Sequence, residues 1–292
     1  MGIEYYSDSI NSHQARTCEE ISETAWGGIV ALLQSRINDG SFGYRYPAKC
    51  YDNPIICGCD EQSFELAIQS EIKGLTWPLE PYLVPPLMTI LDLVQFCYDK
   101  VGFPIEIEFH KNLQHKHLSF NQDKGQKQFW EEINRIFMRN NLAYELRLDG
   151  RIHRINNTIL QASIDSVLFK TADAKLNELL TIACEKFLSP DPIIRKEGLD
   201  KLWDGWERLK TIEEGKDKKD QTRSMLQRVS PDEHFYEELN SEGLALTKIG
   251  NNFQIRHLEM GKHPITDNKH VDYLFHRLFA LIKLCLEKIN TD

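Results

Sequence analysis

The chain has 292 residues, of which 41% are hydrophobic and 27% charged, a composition typical of a globular protein rather than a disordered, collagen-like or coiled-coil chain. Its formal net charge of −9 excludes a generally basic nucleic-acid coat but allows a local cationic site. The most apolar long stretch, 273–286, is interrupted by His276, Arg277 and Lys283, so we expect no membrane span. The absence of an apolar signal at the amino terminus and an odd count of seven cysteines favour reduced thiols and a cytoplasmic location.

Residues 1–160 predict a mixed α+β domain. The segment 40–86 is rich in Gly, Pro, Cys and aromatic residues, which indicates loops and short strands beside one or two short helices. Hydrophobic periodicity and the turn residues Asp149 and Gly150 define the elements that follow. In chain order these are a helix over 88–101, a strand over 104–109, a helix containing 129–137, and a hairpin of strands over 142–148 and 151–155.

Residues 161–292 predict an all-α four-helix bundle, which makes the chain predominantly helical overall. The polar run 215–221 is expected to be a mobile loop. In the last helix Phe279 and Leu284 lie off the main apolar stripe, so we expect them to contact a second copy in a homodimer. The four predicted helices cover 171–188, 192–213, 233–259 and 269–290.

Three cysteines lie close together in the first half, at Cys50, Cys57 and Cys59. Their spacing is not the paired Cys-x-x-Cys of tetrahedral zinc sites, so a metal would need a fourth ligand such as Cys97. Buried thiols are the favoured interpretation and zinc the alternative.

Histidines at 110, 115 and 117 form a second cluster with metal-ligating side chains. His115 and His117 would share one face of a strand. A surface hairpin with scattered histidines is favoured over a metal site, and we expect the protein to use no cofactor and no metal.

Arg256 and His263 lie at the junction between two predicted helices, where Gly261 and Pro264 break the turn. A guanidinium binds a phosphate through two hydrogen bonds, and an imidazole transfers protons near neutral pH, so the pair fits RNA cleavage. The spacing alone is weak evidence, because chance gives about one or two such Arg/His pairs in a chain of this composition. Two others occur here, Arg147 with His153 and Arg228 with His234.

With Arg256, His257 and His263 in such a context, the second half resembles a HEPN domain, and the whole chain resembles bacterial abortive-infection proteins of the AbiJ type. The similarity also involves 202–210 and 270–279 in the second half. In the first half it involves 85–94 and 141–153, and it is loosest before about residue 75. The resemblance implies an AbiJ-like regulatory or targeting domain over 1–160 and a HEPN ribonuclease domain over 161–292.

The resemblance further implies a metal-independent endoribonuclease whose site forms when two HEPN domains pair. Arg256 would bind the scissile phosphate, His263 would act as general base or acid, and His257 would orient the site. The 2′-OH of RNA would be the nucleophile, which excludes DNA as a substrate and gives a 2′,3′-cyclic phosphate. The partners implied are the RNA substrate, a second copy of the chain, and an antitoxin or phage-derived trigger.

Each assignment has an alternative. Arg256 could instead cap its helix, and His263 could be an exposed loop residue without a catalytic role. The bundle would then be a catalytically silent dimerisation or binding module. HEPN relatives that accept AMP on a tyrosine two residues after the histidine are disfavoured, because Ile265 occupies that position. Trp203 and Trp206 are expected in the core.

Overall fold

The computed structural model describes residues 16–155, 171–213, 215–253, 255 and 262–289. The chain divides into two compact units, Met1–Ile155 and Asn156–Asp292. Within the described residues, nine α-helices and a short 3-10 helix accompany six strands. The first unit combines helices with sheet, as expected, and every described regular element of the second is a helix.

The described residues of the first unit form four α-helices, a 3-10 helix and six strands. They are α1 (Glu23–Asn38), the 3-10 helix (Ser41–Tyr44), β1 (Pro47–Lys49), β2 (Ile56–Cys59), α2 (Glu61–Glu71), α3 (Leu87–Lys100), β3 (Phe103–His110), β4 (His115–Asn121), α4 (Gln122–Arg139), β5 (Tyr144–Leu146) and β6 (Ile152–Arg154).

The predicted elements between residues 88 and 155 are confirmed, with bounds shifted by a few residues. Helix α1 was not among the predictions, although it supplies buried core residues such as Trp26 and Leu33. The helix contains Gly27 and Gly28, which weaken its local helix signal. Its start is stabilised by Ser22, whose hydroxyl accepts a hydrogen bond from the backbone N–H of Ala25.

Strands β1 to β4 form one sheet in the order β1-β2-β4-β3, and every neighbouring pair is antiparallel. Strands β2 and β4 pair at a single position, Ile56 opposite Leu118. The long β3–β4 hairpin is regular except for a register shift between Glu106 and Glu108 that leaves one residue of β3 without a partner. Beyond the shift, Glu108 lies opposite His117, and the last residue of β3 lies opposite the first of β4.

Aromatic side chains dominate the core of the first unit. Phe42 stacks on Phe64 with ring centroids 4.5 Å apart, and Phe96 and Trp77 also contact Phe64. Helix α4 approaches the start of β3 so closely that a Cβ on Gly125 would lie 2.4 Å from the backbone nitrogen of Phe103. Only glycine fits at this contact.

The second unit contains five described helices where the sequence predicted four. The additional helix lies partly within the run 215–221, so the prediction of a loop there is wrong from Lys218 onward. Asp217 begins the helix by accepting hydrogen bonds from two backbone N–H groups, and Met225 and Leu226 are buried. The five helices are α5 (Ala174–Phe187), α6 (Pro192–Leu209), α7 (Lys218–Val229), α8 (Glu233–Asn252) and α9 (Asn268–Ile289).

The core of the second unit is built from the helical stripes. Trp203 and Trp206 are fully buried, as predicted, and Phe187 stacks on Phe275 with ring centroids 3.7 Å apart. Trp203 packs against Gly250 of α8, where a Cβ would lie 2.1 Å from the indole nitrogen. This contact fixes the last turn of α8 against α6.

Phe279 is only 2% exposed and belongs to this core, and Leu284 packs against it. The burial of Phe279 corrects the expectation that this side chain adds to an exposed contact face, whereas Leu284 is only partly buried. The homodimer itself stays a prediction.

Candidate functional site

His263 lies in the short segment that enters α9, next to the end of α8. Its backbone N–H donates to the carbonyl of Asn252 at 3.2 Å, and it forms an isolated β-bridge with Phe253. The two rings of this bridge, Phe253 and His263, have centroids 6.2 Å apart. The His263 side chain is exposed, so its imidazole is open to a ligand in solution.

Arg256 and His257 lie outside the described residues. The residues on either side of the segment are anchored, because Ile255 is 2% exposed and Ile265 packs against the same core. The two ends of the segment that carries the predicted site are therefore fixed to one hydrophobic core.

The helices on either side of this segment are also joined by an ion pair. Arg277 of α9 donates two hydrogen bonds of 2.7 Å to the two carboxylate oxygens of Glu242 on α8. The hydrogen bond from Arg277 lowers the pKa of Glu242, since it stabilises the ionised carboxylate.

The other two Arg/His pairs of similar spacing lie in different settings. Arg228 donates to Glu213 at 2.9 Å, and His234 is an exposed residue in the first turn of α8. Arg147 and His153 lie on the β5–β6 hairpin, where burial and then the charge of Arg147 lower the pKa of His153.

Two further charged residues of the second unit, Glu207 and Arg208, serve the helices. Arg208 donates to both carboxylate oxygens of Asp173, the residue that caps α5, and these bonds lower the pKa of Asp173. Glu207 accepts from Lys210 at 2.6 Å. These contacts give both side chains a role in holding the helices.

A cleft of about 510 Å³ lies between α6, α7 and α8. Its lining includes the cationic side chains of Lys210, Lys219 and Arg223 beside Trp206 and Tyr236. This is a local concentration of positive charge on a chain that is acidic overall.

In the first unit, the structure brings Cys50 together with His110, His115 and His117. One potential ligand atom from each of the four residues lies within 4.8 Å of the other three. Cys50 Sγ is 3.5 Å from His110 Nδ1, and the three imidazole rings have centroids 5.2–5.3 Å apart. The prediction of scattered surface histidines is wrong. The β3–β4 hairpin brings the three histidines together, and the loop after β1 places Cys50 beside them.

The cluster is electrostatically coupled. Burial opposes ionisation of the Cys50 thiol, but the nearby imidazole of His117 and backbone groups of the following loop lower the pKa of Cys50 to about 6. Cys50 and the carboxylate of Glu108 in turn raise the pKa of His117. This pairing favours a thiolate beside imidazoles.

The remaining cysteines near Cys50 in sequence take no part in this cluster. The Cys57 thiol donates to the carbonyl of Ala48 at 3.4 Å, and burial raises the pKa of Cys59 to about 12. Cys97 is fully buried in the core, which raises the pKa of its thiol. The ligand set considered from the sequence, Cys50 with Cys57, Cys59 and Cys97, is therefore wrong.

A comparison with protein-family models matches residues 4–170 to AbiJ N-terminal domain 4. The match covers more than half of the 292 residues. The chain belongs to this AbiJ family. No curated protein and no solved structure matches it.

Membership of the AbiJ family identifies an AbiJ-type abortive-infection protein and indicates a role in abortive infection or defence. The matched range contains the Cys50–His110–His115–His117 cluster and ends before the helices of the second unit. Among the described helices, none has both the length and the apolar character required to cross a membrane.

Proposed function

We propose that this AbiJ-type protein is a metal-independent endoribonuclease whose second unit is a HEPN-like catalytic domain. The observation that carries the proposal is the sequence motif of Arg256 and His263 between two helices of an all-helical unit, with His263 exposed at its surface. An RNase acting on cellular RNA gives abortive infection a chemical basis, because loss of translation stops phage replication together with the host.

The chemistry requires three tasks. Arg256 neutralises and orients the scissile phosphate through its guanidinium. His263 removes the proton from the 2′-OH or delivers one to the leaving 5′ oxygen, as an imidazole can near neutral pH. His257, next to the arginine, orients the bound phosphate.

Catalysis needs both a base and an acid, and a homodimer supplies two histidines. In the proposed arrangement, the Arg256/His263 sets of two copies face one cleft, one imidazole unprotonated and the other protonated. Since Phe279 is buried inside each chain, the dimer interface would use other residues of the second unit. The first unit then regulates or targets the dimer, in response to an antitoxin or a phage-derived trigger.

The described contacts support a defined geometry for such a site. Ile255 and Ile265 anchor the two ends of the segment, and the Glu242–Arg277 ion pair joins the helices that flank it. Positioned catalytic groups contribute more than mobile ones, because less entropy is lost in reaching the transition state.

The test is RNA cleavage by the purified full chain. Arg256→Ala and His263→Ala should each reduce the cleavage rate about a hundredfold or more, the usual effect of removing an acid–base or charge-stabilising group. Arg228→Ala and His234→Ala are matched controls, because they remove the same residue types at a similar spacing. Arg228 is paired with Glu213, and His234 is exposed on α8. These two should retain activity, and growth inhibition or phage protection in cells should follow the same pattern.

The mechanism also predicts how cleavage depends on the sugar of the substrate and on metal ions. A substrate with a 2′-deoxy sugar at the cut site should be resistant, and cleavage should continue in EDTA. Equal rates in His263→Ala and wild type would contradict the assignment. A folded, RNA-binding chain without any cleavage would instead support the silent binding module.

A further inference from the structure

The convergence of Cys50, His110, His115 and His117 has the geometry of a metal site. Tetrahedral zinc with bonds of about 2.0–2.3 Å places its ligand atoms roughly 3.3–3.8 Å apart. Cys50 Sγ and His110 Nδ1 are already 3.5 Å apart, and all four ligand atoms lie within 4.8 Å of one another. Small side-chain rotations are therefore enough to enclose an ion.

Two of the histidines carry buried nitrogen atoms without a partner. His117 is 1% exposed, and its Nε2 makes no hydrogen bond of normal geometry, and the same holds for His115 Nε2. A buried nitrogen without a partner costs free energy, and native proteins rarely keep two at one place. One cation between them would satisfy both at once.

The outer nitrogen atoms face carboxylates. His117 Nδ1 lies 2.7 Å from Glu108 Oε1, which leaves Nε2 as the atom directed into the cluster. His110 Nε2 lies 3.5 Å from Asp52 Oδ2, so its Nδ1 is the atom beside Cys50. A carboxylate on the outer nitrogen of a metal-binding histidine orients the ring and strengthens the bond to the metal.

The cluster connects segments that the sheet itself joins weakly. Cys50 follows β1, one outer strand of the sheet, while His110 ends β3, the other outer strand. Between them, β2 and β4 pair at a single position. An ion bound by the four side chains would fasten the β1–β2 hairpin to the β3–β4 hairpin.

We propose that Cys50, His110, His115 and His117 bind one zinc ion that stabilises the sheet of the AbiJ domain. A thiolate with three imidazoles is a donor set suited to zinc and unsuited to magnesium or calcium, which prefer oxygen ligands. Four protein ligands complete a tetrahedral shell, so the site has no open position for a substrate and its role is structural.

The direct test is the metal content of the full-length protein purified without a polyhistidine tag. We expect one zinc per chain by mass spectrometry of the metals, and loss of that zinc in Cys50→Ser and His117→Ala. Cys57→Ser and His270→Ala are the matched controls, since Cys57 lies in the same sheet outside the cluster and His270 is an exposed histidine of α9. Both controls should keep the metal.

Cobalt substitution tests the site without any variant, in case the variants do not fold. Wild-type protein loaded with Co²⁺ should show the intense visible absorption of a tetrahedral ion and a thiolate charge-transfer band. Removal of zinc by a chelator should lower the Tm of the wild type, and added Zn²⁺, but not Mg²⁺, should restore it.

A metal-free wild type that neither takes up Zn²⁺ nor changes its Tm with a chelator would overturn the proposal. Retention of zinc by Cys50→Ser with loss in Cys57→Ser would overturn the ligand assignment. The outcome is independent of the proposed ribonuclease, because metal content is measured without RNA. Chelation could also reduce cleavage. If added Zn²⁺ then restores both the cleavage rate and the Tm, the zinc has a stabilising role. If Mg²⁺ restores cleavage without changing the Tm, the result contradicts metal-independent catalysis.

Discussion

Both units cap their helices locally, but they differ in how far along the sequence their other polar contacts reach. In the second unit, aspartates at the start of successive helices accept bonds from backbone N–H groups two or three residues further on, as Asp173, Asp191, Asp217 and Asp232 do. The first unit caps helices in the same way at Ser22, Asp60 and Asn121, but it also has side-chain hydrogen bonds between residues far apart in the sequence. The Tyr98 hydroxyl donates to the carbonyl of Leu148. A local contact can be predicted from a short stretch of sequence, whereas a long-range contact depends on the tertiary fold.

The largest difference between the units should appear when a methyl group is added at a close contact. Gly125→Ala in the first unit places Cβ against the backbone of Gly102 and Phe103, which belongs to another segment and has no freedom to rotate. Gly250→Ala in the second unit places Cβ against the buried Trp203 ring, a side chain that can move further than backbone can but only by displacing its core neighbours. We expect losses in the free energy of unfolding of about 3 kcal/mol and about 1–2 kcal/mol respectively.

Chemical denaturation of the full chain, followed by signals assigned to each unit, measures both glycine variants. The gain in helix propensity on replacing glycine offsets at most about 1 kcal/mol of either loss. If Gly250→Ala were the more destabilising variant, the result would contradict the expectation that a clash with backbone costs more than a clash with a side chain.

A smaller effect is expected from Glu242→Gln, which removes the charge of the ion pair between α8 and α9. The hydrogen bond from Arg277 holds the pKa of Glu242 below the ordinary value of a glutamate, so the stabilisation is complete above that ordinary value and is lost as the pH falls through the folded-state pKa. At pH 7 we expect a loss of about 0.5–1 kcal/mol, because the pair is partly exposed. The wild type and the variant should converge in thermal stability at low pH, and a constant difference across the pH range would argue against an ionic contribution.

An effect of similar size but opposite sign concerns Asp200 of α6, whose Oδ1 atom is buried without a hydrogen-bond partner. Burial raises the pKa of Asp200 to about 7. A carboxyl with a raised folded-state pKa destabilises the folded state once it ionises, so stability falls as the pH rises from about 4 to 7. Asp200→Asn should therefore be more stable than the wild type by about 1 kcal/mol at pH 8 and show less advantage at pH 5. An equal difference at both pH values would contradict the shift.

The contrast between local and long-range contacts also explains what the sequence predicted. The helices of the second unit, apart from α7, followed from 3.6-residue periodicity, and the prediction of a buried Trp203 and Trp206 is confirmed. Helix α7 was missed since its amino-terminal half is polar and its buried residues, such as Met225 and Leu226, come late. The sequence signal that could have revealed this helix was Asp217, a residue type that commonly caps the start of a helix.

The Cys50 cluster was missed for a physical reason. The β3–β4 hairpin places His110 opposite His115, and the alternation of His115 and His117 puts both on one face, so three of the four side chains were within reach of sequence reasoning. The fourth, Cys50, lies 60 residues from His110 in the chain and joins them through tertiary structure. No spacing rule links the two positions.

The register shift in β3 changes the alternation of side chains between the two faces of the sheet, so that it differs before and after the shift. A regular strand would place Glu106 and Glu108 on the same face, but the residue without a partner between them puts the two carboxylates on opposite faces. Deleting Ile107 should make the ladder continuous and leave Glu108 opposite His117. Deleting Phe109 instead should turn Glu108 to the other face and remove it from His117. The loss of one residue at Ile107 therefore keeps the pairing of Glu108 with His117, whereas the same loss at Phe109 does not.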